Sequence, residues 1–227
     1  MMDNTSPLLR LRARGPLACF TRPELKVERV SYPVMTPSAA RGLLESVVWK
    51  PAIAWRVERI RVLNPIRFAA VRRNEVNSKA SAPAAKVVSG GGPAPVYFAE
   101  DDRAQRNTIA LRDVDYVIEA RFMMTPRAGE RDNVNKFVDI FRRRVEKGQR
   151  FQQPYFGCRE FVADVDPANG VPPAIPESRD LGMMLWDIVY GAKRRTPVFF
   201  AARLEHGVLE APETIEEALE TLSGGAR

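Results

Sequence analysis

Three basic residues recur at helical spacing in the stretch 133–147. Lys136, Arg143 and Lys147 follow one another at intervals that place them on one stripe of a helix, away from the phenylalanines of the same segment. Positive side chains in such a row can neutralise successive phosphate groups of a nucleic acid. A charged, solvated helix face without a partner would give the same pattern, so both interpretations stay open.

A second basic cluster follows a predicted strand. It consists of Arg72, Arg73 and Asn74, with Arg67 shortly before them. Guanidinium groups form paired hydrogen bonds with phosphates, and arginine and asparagine side chains also bind the edges of bases. A cluster of charges at the end of a strand, with no ligand, is the alternative interpretation.

Aromatic and basic residues are interleaved in the loop that begins at Cys19. Stacking of bases beside neutralised phosphates needs this mixture of side chains. The candidate RNA-binding residues of the loop are Phe20, Arg22, Lys26, Arg29 and Tyr32. The alternative is that Phe20 and Tyr32 anchor the loop on the core, which is the favoured interpretation for Phe20.

The end of the first predicted helix carries two further candidates, Trp49 and Lys50. An exposed tryptophan stacks well on a base, and a lysine beside it binds phosphate. A tryptophan in this position more often packs beneath a sheet, and packing is the favoured interpretation for Trp49.

Several kinds of chemistry lack the residues that they need. There is no GxxxxGK[ST] loop, no GxGxxG after a strand and no HExxH, so neither a nucleotide cofactor nor a metal ion is expected. His206 is the single histidine, which makes a Ser-His-Asp interpretation untenable. The acidic run 100–102 is interpreted as a solvated turn. Cys19 and Cys158 form no CxxC pair and indicate no disulfide framework.

The composition favours a folded protein with a polyanionic partner. The chain has 227 residues, 45% of them hydrophobic, and 35 basic against 28 acidic residues give a net charge of +7. Such a charge favours nucleic acid before a membrane surface, although a basic protein can also lack either partner. Met1 to Arg14 has no signal-peptide core, and no apolar stretch reaches 18 residues. We therefore expect a cytoplasmic protein with no membrane partner.

Hydrophobic periodicity predicts an α+β protein. Thr36 and Pro37 mark the start of the first helix, which ends at Lys50 before a proline. The second helix runs from about Asn133 to Lys147 and is closed by Gly148. The predicted strands are Leu9–Arg14, Ile53–Val57, Val62–Val71 (an extension or a partner of the strand before it), Asp115–Met124, Gly157–Val165, Met183–Tyr190 and Pro197–Leu204.

The order strand, helix, strand, strand, helix, strand is that of a ferredoxin-like domain. Between the middle strands, Lys79 to Pro95 is rich in Ala, Ser, Gly and Pro, which predicts a mobile loop or the tip of a long hairpin. We expect one domain over residues 1–165, with a hairpin or loop that protrudes around 73–112. Residues 166–227 are expected to form a small C-terminal β region and a tail with a short acidic helix.

The chain resembles a known family over most of its length. The run Cys19 to Phe68, which includes SYPVMTPSAARGLLESVVWKPAIAW, closely resembles CRISPR-associated family five ("Cas five") of type I-C systems. The resemblance is collinear from Leu9 to Phe200 and is poor in 77–95 and after Leu204. Further similar stretches are RRNEV (72–76), LRDVDYVIEARF (111–122), NKFVDIFRRR (135–144), FQQPYFGCREF (151–161), RDLGMMLWDI (179–188) and TPVFF (196–200).

The resemblance implies a ferredoxin-like domain, similar to an RNA-recognition motif, with an elaborated β-hairpin and a small C-terminal β-sheet. It implies a subunit of an antiviral, RNA-guided effector complex that holds the 5′ handle of the guide RNA. Its expected partners are that RNA, a large subunit and a filament of backbone subunits, and it meets target DNA only indirectly. Arg106, just beyond the predicted loop, would then contact RNA or a backbone subunit.

The resemblance further implies a metal-independent endoribonuclease that cuts precursor guide RNA in the repeat. The 2′-hydroxyl attacks its own phosphorus while a base takes its proton, an acid protonates the leaving 5′-oxygen and a cation holds the developing charge. The family usually places Tyr or His before Trp-Lys-Pro, and Lys-His in the second helix. The corresponding residues are Val48, Lys136 and Phe137, so Lys136 is the one candidate catalytic residue that is retained.

These substitutions separate two hypotheses. Val48 and Phe137 cannot transfer a proton, and both fit the apolar patterns of their helices, which indicates a binding and structural subunit with weak or absent cleavage. Alternatively, the chain remains an endoribonuclease through another set, such as Lys136 with Lys50 or Tyr32. A third class, a DNA-binding regulator, has no helix-turn-helix pattern to support it.

Overall fold

The computed structural model describes residues 4–25, 27–78, 89–90, 98–191 and 194–224. Lys26 and most of the predicted loop Lys79 to Pro95 lie outside the described residues. The helices are α1 (Pro37–Val47), α2 (Val134–Glu146) and α3 (Ile215–Gly224). The strands are β1 (Leu9–Ala18), β2 (Arg29–Val30), β3 (Ile53–Val62), β4 (Phe68–Val76), β5 (Arg103–Met124), β6 (Asp164–Pro167), β7 (Arg179–Tyr190), β8 (Arg195–Glu205) and β9 (Val208–Glu210).

The long strand β5 organises the sheet. On one edge it pairs with β2 and then with β1, where Leu9 lies opposite Ala120. On the other edge it pairs with β4 and then with β3, where Trp55 lies opposite Phe122. The first half of β5, residues 103–111, forms a two-stranded ladder with β4 that we call the arm. The second half is buried between its neighbours and forms the centre of the core.

The strands form one sheet in the order β6-β1-β5-β3-β9-β8-β7, with β2 and β4 attached to β5. All described pairings are antiparallel except the short pairing of β2 with β5. The helix α1 follows β2 in the chain, α2 follows β5, and both contribute to the hydrophobic core. This mixture of helices and a large antiparallel sheet confirms the α+β class.

Both large helices begin where local signals predict. The Thr36 Oγ1 accepts a hydrogen bond from the Ala39 N–H (3.2 Å), and proline occupies the first turn of α1. The Asn133 Oδ1 accepts from the Lys136 N–H (2.9 Å) in the same way at α2. Gly148 has a φ of 63° just after α2, which is a conformation that glycine adopts without strain.

An aromatic cluster holds both helices on the sheet. The ring of Trp55 lies 5.3 Å from that of Phe122 and 5.3 Å from that of Phe141, while Phe122 lies 6.3 Å from Phe137. The Trp55 Nε1–H also donates to the carbonyl of Val48, the residue that ends α1 (3.0 Å). Edge-to-face packing and a buried indole hydrogen bond therefore connect α1, β3, β5 and α2.

The opposite face of the sheet is covered by ion pairs. The buried carboxylate of Glu119 on β5 contacts Arg10 (3.0 Å), Arg59 (2.9 Å) and Arg61 (3.7 Å). Arg12 forms two hydrogen bonds with Asp115, at 2.6 Å and 3.0 Å. The basic face of β1 is thus largely engaged by carboxylates of the sheet itself.

Several strand boundaries differ from the sequence predictions. Only the last two residues of the predicted strand Gly157–Val165 are confirmed, because β6 begins at Asp164. Residues 157–163 form bends and a turn, with one isolated bridge between Val162 and Tyr155. Gly157 has a φ of 76°, and a Cβ there would lie 2.0 Å from the carbonyl oxygen of Cys19.

The arm half of β5 lies in the segment 73–112, which the sequence predicts as a protruding hairpin or loop, without strand bounds. One of its faces is exposed, and the more buried face carries Ala104, Arg106 and Thr108, so it lacks the apolar alternation that marks a half-buried strand.

We predict that Phe122→Ala lowers the free energy of unfolding by about 3–5 kcal/mol, because the side chain is fully buried between Trp55 and Phe137. Met123→Ala is the matched control, since that side chain is next in the strand and points to the exposed side. It should change the free energy by less than about 0.5 kcal/mol. Urea unfolding checks both values, and equal losses for the two variants would contradict the assigned core.

Candidate nucleic-acid interface

The three positions that matter for the expected chemistry lie at the end of α1 and in the first turn of α2. Val48 ends α1, and Lys136 and Phe137 belong to the start of α2. The link between them is the aromatic cluster, because Trp55 bonds the Val48 carbonyl and packs on Phe122, which packs on Phe137. Continuous packing through the core thus connects Val48 with Phe137.

Val48 and Phe137 are core residues. Their relative exposures are 1% and 3%, and neither side chain carries a polar atom. A general acid or base must reach the substrate through a hydrogen bond or one water molecule. Neither position can meet this requirement, and the prediction that both residues pack in the core is confirmed.

Lys136 is exposed and engaged in an ion pair. Its Nζ donates to the Oδ1 of Asp132 at 2.7 Å, and the Asp132 Oδ2 accepts from the Gly129 N–H at 3.0 Å. The hydrogen bond from Lys136 lowers the pKa of the Asp132 carboxyl, and the charge of Lys50 lowers it further. At neutral pH this carboxylate is therefore charged, and Lys136 acts here as a cation and hydrogen-bond donor.

Trp49 and Phe151 form an exposed aromatic surface next to Lys50. Trp49 is 48% exposed and Phe151 57% exposed, so the prediction that Trp49 packs beneath the sheet is wrong. The rings stack with centroids 5.7 Å apart. We call Trp49, Lys50, Asp132, Lys136 and Phe151 the helix-end cluster. Sequence reasoning missed Phe151, whose only signal is an aromatic residue directly after the basic turn that closes α2.

A groove of about 910 Å³ adjoins the helix-end cluster. Asp132 and Asn133 line it at the start of α2, and Arg121 and Thr125 line it from the end of β5. The groove is wide enough for a ligand of nucleotide size, since small-molecule sites usually have volumes of about 300–1,000 Å³. Its polar lining offers hydrogen-bond donors and acceptors next to Lys136.

The loop that begins at Cys19 is less available than its sequence indicates. Phe20 and Tyr32 are buried, with relative exposures of 3% and 1%, so neither ring is free to stack on a base. This burial corrects their assignment as stacking residues and confirms that Phe20 anchors the loop. Arg22 lies over the ring of Tyr32, 4.8 Å from its centroid. Lys26 is not among the described residues.

Arg29 is also engaged within the protein. Its Nη1 donates to the Sγ of Cys158 at 3.0 Å, and its Nη2 lies 3.6 Å from Glu75. A hydrogen bond from Cys19, together with this guanidinium, lowers the pKa of the Cys158 thiol to about 6 despite its burial. Both cysteines are free thiols.

The residues of the predicted basic cluster lie on two opposite faces of the arm. Arg72 and Asn74 are exposed on one face of β4, and Arg67 is exposed just before it. Arg73 points to the other face, where it contacts Glu75 (2.6 Å) and Glu160. Further along the arm, the Arg106 Nη2 donates to the Asn77 Oδ1 at 3.2 Å. The exposed set remains available to a ligand, whereas Arg73 mainly holds the arm to the body of the protein.

The basic stripe of α2 is exposed along its length. Lys136, Arg143 and Lys147 all lie on the solvent side of the helix. Within the described ranges, neither Arg143 nor Lys147 has a carboxylate within ion-pair distance. The stripe lies on α2, which follows β5 in the chain, and the arm is the first half of β5, so the structure presents two separate basic surfaces.

No group of three or more His, Cys, Asp and Glu side chains that could hold a metal ion occurs in the part of the chain that the structure describes. His206 lies in the turn between β8 and β9, which is outside the helix-end cluster. No helix among the described residues is long and apolar enough to cross a membrane.

Comparisons with known proteins identify the family. A family model described as CRISPR-associated protein (Cas_Cas5) matches residues 8–212. The chain is 50% identical over 216 residues to a CRISPR pre-crRNA endoribonuclease Cas5d of Mannheimia succiniciproducens, covering 90% of this chain and 94% of that protein. It is 40% identical over 235 residues to the protein of the same name from Thermus thermophilus, covering 96% of each. The chain belongs to the CRISPR-associated Cas5 family.

A solved structure supports the fold. The crystal structure of a CRISPR-associated protein superposes with a TM-score of 0.70 at 20% sequence identity, covering 96% of this chain and 97% of the other. At this identity the similarity establishes a shared architecture.

We predict that Lys136→Ala reduces the salt dependence of RNA affinity, because one phosphate contact is lost. The slope of log affinity against log salt should fall in magnitude by about 1. Asp132→Asn should instead strengthen binding, since it removes a negative charge and keeps an acceptor for the Gly129 N–H.

Glu130→Gln is the matched control, because it removes the same charge from a neighbouring exposed residue that has no contact with Lys136 among the described contacts. Fluorescence anisotropy across a salt series measures all three variants. An unchanged slope for Lys136→Ala would exclude a phosphate at this position.

Proposed function

We propose that this protein is the RNA-binding subunit of a type I-C CRISPR surveillance complex in antiviral defence, in which it holds the 5′ handle of the guide RNA. Its membership of the Cas5 family supports this role, as do two relatives of 50% and 40% identity that are named for action on pre-crRNA. Both relatives are covered almost completely, so the proposal applies to the whole chain.

The binding role rests on the contrast between the exposed cations of the helix-end cluster and the buried apolar residues next to them. The positions where the family supplies proton-transfer groups hold the buried hydrocarbons Val48 and Phe137, whereas Lys50 and Lys136 next to them remain exposed. Binding needs cations and stacking surfaces, and these are present. Proton transfer needs a titratable group within reach of the 2′-hydroxyl, and these two positions provide none.

The strand order supports a ferredoxin-like domain as part of this proposal. The strands β1, β3, β5 and β6 lie side by side in the order β6-β1-β5-β3, with a helix after the first and after the third. That is the order of two interleaved βαβ units. We assign residues 1–165 to this domain, with the arm as its protruding hairpin, and residues 166–227 to a smaller C-terminal β region. The strands β7 and β8 of that region join β3 through the three-residue strand β9.

The expected partners follow from this role. They are the guide RNA, the large subunit and the backbone subunits, with target DNA contacted only through the complex. The arm and the stripe of α2 offer two basic surfaces for the RNA and its neighbours. We place the protein in the cytoplasm, and the proposed binding requires no cofactor.

A second candidate function is a metal-independent endoribonuclease that cuts precursor guide RNA in the repeat. The names of the two relatives favour it. In this chain the reaction would rest on Lys136 with Lys50, since Tyr32 is buried and distant in sequence from both. Two lysines can hold the charge on the phosphate, but protonated amines cannot take the proton of the attacking hydroxyl. We therefore place cleavage second to binding.

We predict that affinity for repeat-derived RNA falls steeply with salt. If about five phosphates are neutralised, affinity should drop by about 100-fold between 50 and 200 mM salt. Arg72→Ala should weaken binding and leave stability unchanged, because this side chain is exposed on the arm. Arg73→Ala should lower stability, since its side chain is only 12% exposed and contacts Glu75 and Glu160.

Arg203→Ala provides the control for Arg72→Ala, because Arg203 is exposed on β8, away from both basic surfaces. Anisotropy with labelled RNA gives the affinities, and thermal unfolding gives the stabilities. Affinity that is equal at low and high salt would refute an electrostatic RNA-binding role for this chain.

A further inference from the structure

Two large aromatic side chains lie uncovered on the surface where the end of α1 meets the turn after α2. Trp49 and Phe151 are about half exposed, at 48% and 57%. Their rings lie 5.7 Å apart with an interplanar angle of 29°. Tryptophan and phenylalanine bury large areas when a partner is available, so an exposed and stacked pair indicates an interaction site.

The backbone holds this pair in a fixed geometry. The carbonyl of Ser46 accepts hydrogen bonds from the N–H groups of Phe151 (2.7 Å) and Gln152 (3.1 Å). On the other side, the Val48 carbonyl accepts from the Trp55 Nε1–H (3.0 Å), which fixes the residue before Trp49. The Lys50 carbonyl accepts from the Ile53 N–H at 3.2 Å. Anchored rings lose little conformational entropy when a ligand stacks on them.

Three exposed cations are close to the pair in the chain. Lys50 follows Trp49 directly, while Lys147 and Arg150 precede Phe151 by four residues or fewer, and all three side chains are exposed. None of the three forms an ion pair with a described carboxylate. Lys50 also contributes to lowering the pKa of Asp132, which places its charge near the Lys136 ion pair.

The occupant that fits this arrangement is single-stranded RNA. A flat apolar ring surface suits the face of an unpaired base, and cations at its edges suit the phosphates on either side of that base. A protein partner that covered the rings would have to neutralise three cations as well. The charges of the surroundings therefore favour a polyanion with exposed bases.

We propose that Trp49 and Phe151 form a platform on which one unpaired base of the bound RNA stacks, while Lys50, Lys147 and Arg150 bind the adjacent phosphates. This inference rests on the proposed RNA-binding function and adds the route of the strand. The RNA crosses the end of α1 and the turn after α2, and its contacts are not limited to the arm.

The test compares base-containing and abasic strands. The probes are a repeat-derived single-stranded RNA and an oligomer of equal length with the same sugar-phosphate backbone but no bases. Trp49→Ala should weaken binding of the first by about 5- to 150-fold, as expected for the loss of one stacked base. Binding of the abasic strand, which depends on phosphates, should stay within about twofold of the unmodified protein.

Conservative and remote variants sharpen the comparison. Trp49→Phe keeps a ring and should retain most of the affinity, and Phe151→Ala should give an intermediate loss because the supporting ring is gone. Tyr190→Ala removes an even more exposed aromatic residue from β7 and should have no effect on RNA binding. The melting temperatures of the Trp49 variants should stay unchanged, since the side chain is half exposed.

The possible outcomes test the stacking platform separately from the proposed RNA-binding function. If the unmodified protein binds RNA with strong salt dependence but Trp49→Ala binds equally well, the platform is refuted and the proposed function stands. Equal weakening for the base-containing and abasic strands also refutes stacking. If Trp49→Ala impairs only assembly with protein subunits, the surface is a protein contact and the platform is refuted. If the unmodified protein binds no RNA, the proposed function and the platform both fail.

Discussion

The backbone hydrogen bonds of β5 are the constraint on which the rest of the structure depends. This 22-residue strand pairs with β1, β2, β3 and β4, so it connects the arm at its beginning to the two-helix core at its end. At the junction Asp113 has a φ of 53°, and the Asn64 side chain donates to its carbonyl at 2.7 Å. Because one strand belongs to both halves, the position of the arm is fixed relative to the helix-end cluster by continuous pairing.

The same strand also positions the aromatic cluster that surrounds Val48 and Phe137, the two residues at the expected proton-transfer positions. Phe122, near the end of β5, contacts Trp55 and Phe137, and Trp55 holds the carbonyl of Val48. The apolar side chains at these two positions close the core against the helices. A polar replacement at either position would have to find hydrogen-bond partners inside this cluster or leave an unsatisfied group, which costs about 1–3 kcal/mol. A residue at either position can therefore pack in the core or transfer a proton, and in this chain both residues pack in the core.

The sequence predicts those parts of the fold that depend on local signals. The caps at Thr36 and Asn133 and the left-handed Gly148 are short-range features, and α1 and α2 lie where these features place them. The arm half of β5 has no such local signal, because its more buried face carries Ala104, Arg106 and Thr108 rather than large apolar residues, and its pairing with β4 joins residues distant in sequence.

The sequence predicts only part of the candidate site, for a related reason. The burial of Val48 and Phe137 follows from their apolar helical positions, and the structure agrees. Phe20 and Trp49 show the limit, because an aromatic side chain that stacks on a base and one that packs in a core are the same residue type in the sequence. Only the fold shows that Phe20 is buried and that Trp49 is exposed against Phe151.

The central claim is that this chain binds RNA, although the buried residues Val48 and Phe137 occupy the two positions expected to transfer protons. The most direct measurement incubates the unmodified protein with its own repeat RNA in EDTA and analyses the same samples on native and denaturing gels under single-turnover conditions. Loss of one general acid or base typically slows such a reaction by about 100- to 10,000-fold. We predict a fully shifted RNA that remains essentially uncut over hours. Rapid cleavage that disappears in Lys136→Ala would contradict this account and establish an enzyme with a rearranged site.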